Sequence, residues 1–459
     1  MLPGDQARRL PHIGIAGLFF VIFALHVIAW SQYPPDVDPI NFVSALHDYN
    51  LMHDSPHPPG YPLYVGLGRL SQFLVGRSHA YQLVNLGLLI GTCGFLLRIG
   101  TFLRDRSTGI LSALIFAVHP LVWGATVIPE CYISDAFGGS ALVAAGLSTR
   151  QRPTLGLTLF IIAELMIGLL RPTSSVLLLP AGLAAIWLAN DDWASRRRLI
   201  AGAIIGAALA TMAAYIMTAE LAGGLALYRH EADRVMGASF RGSSILGGAP
   251  IATHLAMIAK LFVWFGLFAL PAALALGWRV SRQGAAGLGR IAILAGAWIL
   301  PALGFYSVVY YLKPTYQLIY LPALCLVFAW ALLEALKDRP LALGVATAVL
   351  AIAAQAFFWF GNEQLPTPLY RLTHSYFNQQ DAAWRQLESK VAAVPADQLI
   401  LFKDNSSLPP QALRLIVPSG IFAVQDPNGP LVLNDHGAWK PASPAMLRRF
   451  SGITVTSGE

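Results

Sequence analysis

The sequence predicts an all-α polytopic membrane protein with about 11 transmembrane helices, interfacial helices in its first outer loop, and a small C-terminal α/β domain outside the cytoplasm. Three observations predict it. Of the 459 residues, 56% are hydrophobic and 12% charged, about half the charged share of an ordinary soluble domain, and mean hydropathy is +0.57. Apolar runs of spanning length recur along the chain with basic clusters between them. From Gly361 onward the material changes, and polar helix and short strand patterns replace the apolar runs.

Runs of the length a bilayer requires, about 17 to 25 residues, fall near 11–30, 80–102, 108–127, 132–148, 154–171, 174–190, 199–219, 254–278, 291–311, 316–336 and 340–360. The first follows Arg8 and Arg9 and exceeds the roughly 7 to 15 residues of a signal-peptide core. It is read as an uncleaved helix with its N-terminus in the cytoplasm, the alternative being cleavage near Ala29-Trp30-Ser31. The stretch "YPLYVGLGRLSQFLV", 61–75, is 15 residues long and carries Arg69 and Gln72. That suits a re-entrant or interfacial segment better than a span.

Charge decides its place. With 61–75 in the interface, Arg8-Arg9, "RDR" (104–106), "TRQR" (149–152), "SRRR" (195–198), "RVSRQ" (279–283) with Arg290, and "KDR" (337–339) all face the cytoplasm, as the positive-inside bias demands. With 61–75 spanning, every cluster after the first moves outside. The first version puts the loop 31–79, the turn "VIPECYISD", the long loop 220–253 and the tail from about 361 on the outer face. Residues 1–360 are thus expected to form a transmembrane domain and 361–459 a soluble extracytoplasmic one, in an integral multi-pass protein of a bacterial inner (plasma) membrane. The formal charge of +7 belongs to the orienting clusters, so no nucleic-acid partner is indicated. Cys93, Cys131 and Cys325 form neither a disulfide framework nor a CxxC site and read as packing residues.

The stretch "DVDPINFVSALHDYNLMHDSPHPPGYPLYV", 36–65, places seven Asp and His residues just after the first apolar run. Its loop is long for a membrane connection, which marks it for function. Phe42, Leu46 and Tyr49 recur at helical spacing with Asn41, His47 and Asp48 elsewhere, as in a helix lying on the membrane surface. Asp38 before Pro39 also suits a plain N-cap. Other ionisable residues share that face: Glu130 and Asp135, Arg171 before Pro172, Lys313 before Pro314, and Arg229, His230, Glu231, Asp233 and Arg234 of "YRHEADR". Such groups at membrane depth cost several kcal/mol unless paired or hydrated. Carboxylates meeting cations suit a base for an acceptor hydroxyl and positive charge for a leaving phosphate. The alternative for Arg171 and Lys313 is snorkelling to lipid head groups.

Taken together, "DPINF", "PHPPGYPLYV", "PECY" and "YYLKPTYQLIYLPAL" resemble the integral-membrane glycosyltransferases of the GT-C fold, closest to the protein O-mannosyltransferase-like group with a His-Pro-Pro-Gly-Tyr-Pro motif. The resemblance covers about residues 10–335, and "PHPPGYPLY" is its most specific string. It implies two interfacial helices after the first span, a polyprenyl-phosphate-linked sugar donor, and a first-loop acid acting on the acceptor. By that resemblance Asp38 is the base, with Asp36 as substitute. His57, ahead of Pro58 and Pro59, holds donor phosphate or sugar. Lys313 binds the phosphate with Tyr316 or Tyr320 beside it, Arg171 and Arg229 serve similarly, and Asn41, Tyr61, Glu130 and Tyr132 line the pocket. Asn41 stands where some members carry a second acid, which leaves the base open between Asp36 and Asp38.

Paired carboxylates in "DVD" also suit Mg or Mn, whereas the resemblance implies that Lys and Arg alone stabilise a lipid-phosphate leaving group, so no cofactor is firmly expected. The implied reaction is one displacement with inversion at the sugar, onto a glycan, lipid or protein acceptor. The competing class is a transporter or flippase, which carries repeats and broken helices about a midplane site; no repeat is visible, and the polar residues sit at helix ends. A non-catalytic scaffold leaves the outer charges unexplained. In the tail, "DAAWRQLESKVAAV" reads as an amphipathic helix and "QLILF" and "GIFAV" as strands, forming either a lid or spacer or a surface for acceptor recognition. His374, Asp435 and His436 read as surface residues rather than ligands.

Overall fold

The computed structural model describes residues 12–284, 287–395, 397–403, 408–417, 421–425, 431–435, 438–448, 450 and 452–457; Arg8, Arg9 and His436 lie outside them. In chain order the helices are α1 (His12–Ile28), α2 (Val37–Ala45), α3 (Pro62–Val75), α4 (Ala80–Leu103), α5 (Arg106–Val118), α6 (Pro120–Thr126), α7 (Ile133–Ser148), α8 (Pro153–Leu170), α9 (Pro172–Ala189), α10 (Trp193–Leu221), α11 (Leu225–Ala232), α12 (Ala238–Ser243), α13 (Ile251–Gln283), α14 (Gly289–Val308), α15 (Leu321–Ala335), α16 (Pro340–Phe360), α17 (Thr367–Tyr370) and α18 (His374–Ala392).

Every predicted apolar run is helical, and the ends are marked by side chains suited to them. Asp105 and Asp192 accept from Thr108 N and Ser195 N to cap α5 and α10, and proline opens α8, α9 and α16, where its missing N–H costs nothing. Among the described residues seven helices are long and apolar enough to cross a membrane, counting α4 with the short turn before it. The run 108–127 is broken: α5 and α6 meet at 60°, because Pro120 pushes His119 to extended backbone. Three runs yield shorter apolar helices, at α1, α7 and α15. Small residues let helices approach closely; a Cβ on Gly100 of α4 would stand 2.5 Å from the Gly109 backbone of α5.

The first loop departs from its prediction. A surface helix reaching Met52 is not formed; α2 stops at Ala45, and its apolar residues point both ways. Phe42 packs into the bundle against Tyr61, Tyr64 and Tyr81, while fully buried Ile40 joins Trp384, Leu387 and Phe402 of the C-terminal segment. Protein covers both faces, so α2 has none left for lipid. By contrast α3 matches the interfacial expectation in length: 14 residues span about 21 Å, short of a hydrocarbon core of roughly 30 Å. Leu70, Phe73 and Leu74 stand exposed on it.

The C-terminal strands are β1 (Gln398–Lys403), β2 (Ile421–Gln425), β3 (Leu431–Asp435), β4 (Ala438–Pro441) and β5 (Gly452–Ser457), in the order β4-β3-β2-β1-β5. β1 runs parallel to β2 and β5, and β2, β3 and β4 run antiparallel. The predicted amphipathic helix is α18, whose Trp384, Leu387 and Val391 cover Ile400, Phe402 and Phe422 of the sheet. Asp435 pairs with Lys440 at 3.3 Å, and the His374 ring lies 4.6 Å from that of Trp359.

Candidate active site

The ends of α1, α6 and α14 converge, and each delivers ionisable residues to one place. The chain leaving α1 turns into α2 at Asp36, whose carboxylate accepts from Val37 N at 2.7 Å. Asp36, not Asp38, is therefore the N-cap, because α2 begins at Val37, two residues earlier than Pro39 suggested. Asp38 sits in the first turn, and its carboxylate is left for Lys313 rather than for the helix N-terminus. Lys313 follows α14 and is held extended by the proline after it. Its ammonium donates to Asp38 Oδ2 at 2.8 Å and to Glu130 Oε1 at 3.1 Å, with Asp36 Oδ2 also at 3.1 Å.

The sequence separates these residues by up to 277 positions (Asp36 to Lys313), and Asn85 is a side chain that makes their meeting rigid. From the second turn of α4 its amide nitrogen lies 2.9 to 3.2 Å from the carbonyl oxygens of Ala125, Ile128 and Glu130, and its oxygen accepts from Tyr64 at 3.0 Å. Sequence reasoning passed over it; an amide within an apolar run was the available signal.

His57 Nδ1 is 3.9 Å from Asp38 Oδ1, and Nε2 is 3.1 Å from the Tyr61 hydroxyl. Buried Pro58 and Pro59 lead to Gly60 at φ 104°. A Cβ there would come within 2.7 Å of the Tyr49 hydroxyl, so the turn requires glycine. This turn seats His57 at 5.5 Å from the Phe42 ring.

Burial and Lys313 act against each other in setting the charges. Burial raises the Asp38 carboxyl, but Lys313 and His57 outweigh it and hold it at about 2. Glu130 is more deeply buried, and desolvation pushes it up to about 7 despite the same lysine. Burial lowers Lys313, yet Glu130 and Asp38 raise it well above its ordinary value. Desolvation also lowers His57, which keeps it neutral at pH 7.

Arg171 is not a free cation beside this cluster. It donates to Asp135, which also accepts from Ser174, and its guanidinium lies 4.6 Å from the centre of the Tyr132 ring and 5.2 Å from that of Tyr316. Tyr316 in turn shares a 2.9 Å hydrogen bond with Tyr310. Neither Arg171 nor Lys313 snorkels, since both are satisfied by carboxylates inside the protein.

Three predicted residues fall elsewhere. Arg229 is exposed, and no ion pair or hydrogen bond holds it among the described residues; Arg234 is the member of its run that docks, on Glu231 and Asp54. Tyr320 is fully buried at the N-cap of α15 and edge-on to Phe265 at 5.7 Å. Asn41 turns away from the pocket and accepts from Arg414 at 3.2 Å. Among the described residues no group of three or more His, Cys, Asp or Glu is placed to share a metal, and the Lys313 ammonium lies between the carboxylates of Asp36, Asp38 and Glu130. No step is assigned to Mg or Mn.

No family profile and no curated protein matches the chain. Among solved structures it is similar to ArnT from Cupriavidus metallidurans bound to undecaprenyl phosphate, with TM-score 0.57 and 13% identity over 90% of this chain and 87% of that one. The apo state of the same protein gives 0.53 and 12% over 88% and 84%. At such identities the likeness speaks for architecture alone, and the architecture is the GT-C fold: an apolar helical bundle with short helices in its first loop and a small C-terminal sheet.

Proposed function

We propose that the protein is a membrane glycosyltransferase moving a hexosyl or pentosyl unit from a polyprenyl-phosphate-linked donor to an acceptor hydroxyl on a glycan, lipid or protein, at the outer face of a bacterial inner membrane. The observation that carries this reading is the convergence of Asp36, Asp38, His57, Glu130 and Lys313 in one part-buried cluster at one end of the bundle. A fold shared with a protein solved with undecaprenyl phosphate supports the donor class, and "PHPPGYPLY" supports the O-mannosyltransferase-like group. The basic clusters support a cytoplasmic N-terminus, a catalytic part over 1–360 and an extracytoplasmic domain over 361–459.

At rest Asp38 is too weak a base for a hydroxyl, because Lys313 acidifies it. A donor phosphate arriving beside Lys313 competes for the ammonium, and as Lys313 turns to it Asp38 regains basicity. The acceptor oxygen attacks the anomeric carbon, its proton passes to Asp38, and the bond from that carbon to the phosphate oxygen breaks with the electron pair leaving on phosphate. Lys313 stabilises that charge. One displacement inverts the sugar. Neutral His57, tied to Tyr61, positions a donor hydroxyl.

The test uses purified protein in nanodiscs with radiolabelled hexosyl and pentosyl polyprenyl phosphates and a panel of acceptors. Transfer with release of polyprenyl phosphate is expected, and Asp38→Asn should lower it about 10³-fold while the lipid phosphate still binds. Protein that transfers nothing but carries lipid-linked sugar across liposomes would be a flippase, and the glycosyltransferase reading would fall.

A further inference from the structure

The eleven residues from Ser31 to Asn41 carry both aspartates, and the C-terminal segment grips them on each side. Buried Asp381 of α18, 7% exposed, accepts from Ser31 Oγ at 2.8 Å, Gln32 N at 2.9 Å and Tyr33 N at 3.0 Å. Trp384 Nε1 donates to Pro34 O at 2.9 Å, and the Tyr33 hydroxyl donates to Glu388 at 2.6 Å. The rings of Tyr33 and Trp384 stack at 5.4 Å, 8° from parallel. Asp381, Trp384 and Glu388 recur at helical spacing on one face of α18. Beyond the aspartates, Ile40 sits in the sheet's own core and Asn41 accepts from Arg414.

A general base misplaced by about 1 Å forfeits on the order of 10²-fold in rate, and Asp38 must stay within reach of Lys313 without being carried by a spanning helix. We infer that the C-terminal segment is a positioning clamp for the acid-bearing loop, with Asp381 as the positioning residue that sets Asp36 and Asp38 against Lys313 through the backbone of 31–35. The catalytic half of this inference rests on the glycosyltransferase reading; the gripping half does not.

Two variants test it. Asp381→Asn keeps the side chain's shape but replaces one acceptor oxygen with a donor that faces backbone N–H groups, and Trp384→Phe keeps the stacking but removes the bond to Pro34. Full-length protein in nanodiscs is assayed for transfer and for amide hydrogen exchange. Asp381→Asn should lower kcat about 10- to 100-fold with KM for the lipid donor within about twofold, and Trp384→Phe should do so more weakly. Asp381→Glu should recover part of the loss. Exchange over 31–41 should rise at least about tenfold in Asp381→Asn, with α4, α7 and the sheet unchanged. Faster exchange with unaltered kcat overturns positioning, and unaltered exchange overturns the clamp altogether. A fall in kcat with a matching loss of protection throughout the protein also overturns it, since the residue would then be a general fold support. Wild-type protein that exchanges as expected yet transfers no sugar sinks the glycosyltransferase reading, and exchange alone then decides the clamp.

Discussion

Two charged sites lie near one another at the same end of the bundle, and they are built on opposite plans. Arg171 and Asp135 are matched one to one, buried, and closed over by Ser174, Tyr132 and Tyr316. Lys313 faces three carboxylates at once and keeps 26% of its side chain exposed. The first site has its charge matched by a single carboxylate, with only the buried Arg171 Nε left without a hydrogen-bond partner among the described residues. The second carries surplus negative charge around a single cation, an arrangement that stays favourable only if something else enters or a proton is taken up. On the proposed reading the paired cation belongs to the scaffold, and the unbalanced, part-open cluster belongs to chemistry.

Arg171→Leu should have the largest effect on the folded protein. It strands Asp135 in a buried site, at a cost of about 3–5 kcal/mol, seen as a loss of melting temperature in detergent, and Arg171→Leu with Asp135→Leu should recover most of it. A stable single variant that loses only lipid-phosphate binding would erase the contrast, making Arg171 the ligand cation that the sequence suggested. Lys313→Gln should instead leave the protein folded and cut transfer about 10²-fold, measured as kcat. Severe unfolding there would mean that both sites are structural.

The smallest effect is a pH dependence at Glu130. Its carboxyl titrates at about 7 when folded and near 4.5 in its ordinary state, so the native protein holds an extra proton between those values. That contribution to stability is complete below about 4.5 and is lost as pH rises through about 7. The melting temperature of wild type should therefore drift down from about pH 5 to about pH 8, by on the order of 2 °C, and Glu130→Gln should flatten the drift. An equal drift in both proteins would place the titrating group elsewhere.

Much of this was legible in the chain. Helix positions, that of the short α3 among them, follow from hydrophobic length, because that signal is local and additive. Asp38, His57, Glu130 and Lys313 could be singled out because ionisable residues beside apolar runs are costly and few. What could not be read was partnership. Whether Arg171 answers Asp135 or a ligand depends on which helix ends meet, and nothing in the residues near Arg171 says so. The fate of α2 was hidden for a similar reason: Phe42, Leu46 and Tyr49 read as one lipid-facing stripe, and nothing near them says that the bundle takes Phe42 while the C-terminal sheet takes Ile40. Asn85 was passed over because a lone amide in a span does not say which chain segments it will hold.

The outward apolar side of α3 has a consequence for how a substrate arrives. Leu70, Phe73 and Leu74 stand exposed on that helix, while its first residue follows Tyr61, the hydrogen-bond partner of His57. On the proposed reading the charged cluster then sits level with the phosphates of the surrounding lipids. A long-chain donor would reach it by lateral diffusion with its tail never leaving the bilayer, so the quantity that sets occupancy is the donor's mole fraction in the leaflet rather than its concentration in the bulk. Diluting the donor with inert lipid at constant total amount should therefore slow the enzyme, whereas diluting the whole suspension with buffer should not.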